Sequence, residues 1–67
     1  MATFTFYIRD ERYTVPTLAI VVAQNAVRAR ALAAKRLLES PHHTAIDVYE
    51  GEALRFSLSP GAERAIH

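Results

Sequence analysis

One stretch of this chain reads as a helix, AVRARALAAKRLLE at residues 26–39, and it limits everything else. It holds strong helix formers and neither glycine nor proline. Asn25 stands where an N-cap is needed, its side-chain oxygen able to accept from a first-turn amide. Ser40-Pro41 closes the segment, because a residue before proline disfavours the α region. A helix of about 14 residues is about 21 Å long. That length covers one face of a small sheet and leaves the other face bare.

The remaining segments supply the sheet. TFTFYIR alternates Phe4, Phe6 and Ile8 with Thr3, Thr5, Tyr7 and Arg9, the period of a half-buried strand. RDER is a charged turn, and YTVPTLAIVV resumes a strand pattern. Pro16 offers no amide hydrogen to a ladder, which marks an edge position or a bulge. Beyond it Leu18, Ile20 and Val22 share one face, and Ala19 and Val21 make the other apolar too. A strand apolar on both sides is covered twice or lacks a partner.

TAIDVYEGEALRFSL reads as a hairpin. Ile46 and Val48 alternate with Asp47 and Tyr49, then Leu54, Phe56 and Leu58 with Arg55 and Ser57, around a two-residue II′-type turn at Gly51-Glu52. The fold class predicted is therefore α+β, in the order ββαββ, with a four-stranded antiparallel or mixed sheet and one helix packed on one face. Pairing the first strand with the third gives the strand order 2-1-3-4. At 100° per residue Val27, Ala31, Ala34 and Leu38 form the helix stripe expected over Phe4, Phe6, Ile46, Val48, Leu54 and Phe56. Ala23, Ala26, Ala33 and Leu37 flank that stripe, Arg30 snorkels over its edge, and Leu32 falls among the charges. The open face then shows Tyr7, Arg9, Asp47, Tyr49 and Arg55.

Sixty-seven residues make a single domain, 1–67, with an ordered core expected over about 3–59 and a fraying tail at 60–67. Half the residues are apolar, which is a folded composition, but twelve of them are alanines, so large core residues are few. Domains this small gain stability from disulfides, metals or association. There is no cysteine, which removes disulfides and thiolate metal sites. The start MATFTFYIRDERY lacks the basic-then-apolar pattern of a secretory signal, and no apolar run is long enough to span a bilayer. A cytoplasmic protein without membrane contact is expected. A net charge of +1 exerts no general pull on nucleic acid.

The segments FTFYIRD and ARALAAKRLLESPHHTAIDVYEG resemble short alphaproteobacterial proteins to which no function is assigned. The likeness spans residues 4–58 and implies a small bacterial ββαββ domain, with no functional residue to carry across. The layout is also similar to small antitoxin-like and RNA-binding sheet domains, at the level of architecture alone.

Three groups of residues bear on function. His42 and His43 stand between helix and strand, and adjacent side chains splay apart, whereas zinc needs about three converging ligands. Asp47 and His67 are the only plausible additions to them. Histidines just past a helix also meet its free carbonyls and negative dipole end, which is the expectation for this corner. No nucleophile, base and orienter pattern and no phosphate loop occurs, and Asp10, Glu11, Glu50 and Glu52 fall in turns; neither enzyme nor cofactor is expected.

Residues 26–39 hold four cations against Glu39, a local +3, and residues 40–67 hold four carboxylates against two arginines, −2. Arg28, Lys35 and Arg36 could meet phosphates, and Tyr7 with Tyr49 could stack bases. The weaker basic excess makes nucleic acid the second reading. The first is a protein-interaction domain able to pair with itself as a homodimer, with Leu18, Ile20, Val21 and Leu32 as candidate interface residues.

Overall fold

The computed structural model describes residues 1–60 as β1 (Ala2–Asp10), β2 (Thr17–Ala23), α1 (Ala26–Leu37), β3 (His43–Glu50) and β4 (Ala53–Leu58). The expected fraying tail beyond Pro60, and His67 with it, lies outside the described residues. The strands form one antiparallel sheet in the order β2-β1-β3-β4, as the segment pattern predicts. α1 lies across one face. No helix of the described residues is long and apolar enough to cross a membrane.

Local chemistry sets the turns. The Asn25 side chain accepts from the Arg28 amide at 2.9 Å, satisfying a first-turn donor. Gly51 has φ +61° and, among the described residues, no non-glycine residue has positive φ, so only the first turn position of the β3–β4 hairpin is left-handed. That is the II′ pattern, and it is the one place in the described chain where glycine is required.

Two expected boundaries move. β2 begins after Pro16 rather than at Tyr13, because proline cannot join the ladder; Tyr13 and Val15 stay exposed in the loop. α1 ends at Leu37, two residues early. The Leu38 amide reaches both Ala34 O and Lys35 O, and the Glu39 amide reaches Arg36 O, a tightened last turn ahead of Pro41.

The core is Phe4, Phe6, Ile8, Ala23, Ala29, Ala33, Leu37, Ile46, Val48 and Leu58. Two features differ from the pattern reading, and both have a packing reason. First, α1 is turned by about a third of a revolution. Ala29, Ala33 and Leu37 face the sheet, while Val27 and Leu38 are 80% and 73% exposed. The alanines permit close approach over Phe4 and Phe6, whose rings fill the layer from below. Leu32, expected among charges, instead packs half-buried against the core. Arg30 does snorkel, its guanidinium 5.7 Å from the centre of the Phe56 ring.

Second, Leu54 is not under the helix. The β3–β4 register shifts so that Val48 opposes Phe56 and Tyr49 opposes Leu54, leaving Arg55 as the extra residue. One inserted residue inverts the alternation, and Leu54 emerges on the open face beside Tyr49. Arg55 turns to Glu50, donating to its carboxylate at 2.9 Å.

Candidate functional site

Opposed residues of antiparallel strands share a face, so the registers assign the uncovered side directly. It carries Leu18, Ile20 and Val22 from β2, Thr3, Thr5, Tyr7 and Arg9 from β1, Asp47 and Tyr49 from β3, and Leu54 and Ser57 from β4. Leu18, Ile20, Val22 and Leu54 are each more than half exposed, Ile20 the most at 67%. Between them Tyr7 and Tyr49 meet edge to face, centroids 5.1 Å apart at 68°. Their rings contact each other, which is ordinary packing for a diagonal cross-strand pair.

Polar groups hold the adjoining part of this face. Asp47 accepts from Arg9 at 3.0 Å and from Ser57 Oγ at 2.9 Å. Asp47 is thereby committed to the sheet surface and not to the histidines.

The four candidate interface residues divide between two sides of β2. Leu18 and Ile20 are on the open face. Val21 opposes the buried Phe6 neighbour Phe4 and points toward the helix, where it and Leu32 border a shallow groove of about 230 Å³ with Phe6, Lys35, Arg36 and Glu39. Val21, expected at the interface, packs against the core instead, so Ile20 is the cleaner probe of association.

The histidine corner ties three elements together. His43 Nδ1 lies 3.0 Å from Arg36 O; a carbonyl only accepts, so the ring nitrogen donates to the last turn of α1. His43 Nε2 stands 4.0 Å from Asp10 Oδ2, and His42 Nδ1 stands 3.7 Å from Glu11 Oε1. The Glu11 amide also donates to His42 O at 3.0 Å. The two rings serve different partners. Among the described residues no group of three or more His, Asp or Glu is placed to hold a metal ion.

Asp10 is the residue that pattern reading misses. Placed at the end of β1, where the β1–β3 register shifts, it is only 8% exposed. Arg12 folds back on it with its amide at 2.8 Å, Nε at 3.0 Å and Nη2 at 2.7 Å. The signal was present in Asp10-Glu11-Arg12, since aspartate readily bonds an amide two residues on.

These Arg12 hydrogen bonds, the side-chain ones first, hold the Asp10 carboxyl well below its ordinary value of 3.8, while burial opposes them. A depressed folded-state pKa contributes stability that is full above 3.8 and lost as pH falls through the folded value. Asp10→Asn is accordingly expected to flatten the acid limb of the stability curve below about pH 4. Urea melts at stepped pH check this; an acid limb unchanged in the variant would contradict it.

The basic helix residues are exposed and dispersed. Arg36 lies 3.8 Å from Glu39, whereas Arg28 and Lys35 make no ion pair among the described residues. Comparison with protein-family models, with curated proteins and with solved structures finds no match.

Proposed function

We propose that this chain is a small protein-interaction domain without catalytic activity, and that it works as a homodimer. The observation that carries the reading is the uncovered row Leu18, Ile20 and Val22 on edge strand β2, continued across the sheet by Tyr7, Tyr49 and Leu54. Scattered apolar residues on a surface are ordinary, but a contiguous apolar face on a chain this small marks a contact. A bacterial cytoplasmic setting belongs to the same proposal. It rests on the resemblance noted above and on a cysteine-free composition suited to a reducing compartment.

Sedimentation equilibrium over a concentration series tests it. A monomer–dimer equilibrium is expected, and Ile20→Lys should weaken it at least tenfold by forcing a charge into the contact. The fold should survive, because Ile20 makes little use of the core. A single 7.5 kDa species at millimolar concentration would sink the reading.

Nucleic acid is the second reading, favoured by Arg28 and Lys35, exposed on the outer helix face and without an ion pair among the described residues. Two or three phosphate contacts give a log–log salt slope of only about −2 to −3, with little affinity left near physiological salt. Micromolar binding under those conditions would reverse the order of the two.

A further inference from the structure

The sheet has two unlike edges. β4 is six residues long, its ladder shifts between Val48 and Tyr49, and the Arg55–Glu50 ion pair lies at that shift. Bulges and charges are how edges resist further pairing. β2 has neither. Its seven residues pair with β1 without any register shift and include no charge and no proline.

We propose that β2 pairs antiparallel with β2 of a second copy, joining two sheets into one of eight strands with its two-fold axis at Ile20. This rests on the self-association reading above and gives it a geometry. The register follows from symmetry. A two-fold axis perpendicular to the sheet keeps every residue on its own face, so opposed residues differ by an even number and one residue faces itself. A seven-residue strand overlaps its copy fully only when that residue is the middle one, Ile20.

The match is then apolar throughout. On the open face Leu18 opposes Val22 of the second copy and Ile20 opposes Ile20. On the helix side Ala19 opposes Val21, small against large, beside the groove lined by Val21 and Leu32. Thr17 opposes Ala23, and no charged side chain enters. This self-match of Thr17–Ala23 favours a second copy over a foreign strand.

The contact is small. Seven residues extend about 24 Å, and the molecule is 18 Å through its thinnest direction. That wall is about 430 Å² per copy, roughly half the ~800 Å² of a standard interface. The edge dimer therefore forms and parts with concentration.

Cysteine crosslinking tests the geometry, and the native chain contributes no thiol. A disulfide needs Cα atoms about 4.4–6.8 Å apart, which opposed antiparallel positions provide. Packed sheets stand ~10 Å apart and do not. Under mild oxidation Ile20→Cys should crosslink to itself at least tenfold faster than Leu54→Cys. Mixed Ala19→Cys and Val21→Cys chains should crosslink to each other, since those side chains point away from any face-packed copy. Circular dichroism checks that these two, which touch the core, remain folded; Ile20→Cys does not depend on them. Dimers by sedimentation without these crosslinks would overturn the edge geometry and leave self-association standing. Monomers throughout would overturn both.

Discussion

Phe6→Ala should remove a large share of the stability of the fold. Phe6 is 2% exposed and central in β1, opposed by Ala19 on one side and Val48 on the other. Removing a buried phenyl ring costs about 3–5 kcal/mol, the lost transfer energy plus the cavity left behind. A domain of this size has about 3–10 kcal/mol in total. Neighbouring strands and a rigid helix cannot collapse into the space, so the upper part of that cost applies. Thermal unfolding should drop by more than about 15 °C, at 4–8 °C per kcal/mol for small domains. Val22→Ala, on the open face of the neighbouring strand, is the matched control and should stay within about 1 kcal/mol. A Phe6→Ala cost below that would mean α1 does not close over the ring.

The second large effect tests which way α1 faces. Ala33 is fully buried between helix and sheet, and its methyl group is all the gap accepts. Ala33→Leu forces extra methylenes into a packed layer, at about 1–3 kcal/mol. Leu38→Ala should by contrast change stability by no more than about 0.5 kcal/mol, because that side chain projects into water. Chemical denaturation of the two variants beside the parent decides it. Were the helix seated on the Val27–Leu38 stripe, the order would invert, with Leu38→Ala costing about 2–5 kcal/mol.

That contrast shows where local pattern stops being informative. The two helix stripes are both apolar, one with larger side chains and one with more alanine. Reading by hydrophobicity alone selects Val27 and Leu38. The fold selects Ala29 and Ala33, because Phe4 and Phe6 already fill the layer and only small residues admit the helix beside them. Volume complementarity is a property of two elements together, and periodicity describes only one.

The candidate surface was partly legible for the same reason. Alternation groups Leu18 with Ile20 but, with both faces of β2 apolar, does not say which side they take; Tyr7 and Tyr49 could be placed on the open face from alternation within their own strands. Leu54 could not. Its face depends on the bulge at Arg55, which arises where two strands are fitted to each other. Asp10 resembled a turn residue, and its burial depends on β3 arriving beside it with His43.

By itself the sequence determined what short-range chemistry controls: four strands and one helix in order, the Asn25 cap, the Gly51 turn, and a sheet with more faces than one helix can cover. Capping bonds, turn dihedrals and side-chain alternation act over a few residues, so they can be read there. Only the tertiary structure decided which stripe of α1 is buried, which side of the sheet Leu54 joins, and that β2 rather than β4 is the unguarded edge. Each of those depends on how volumes and ladder registers match between segments far apart in the chain, and no single segment contains that information.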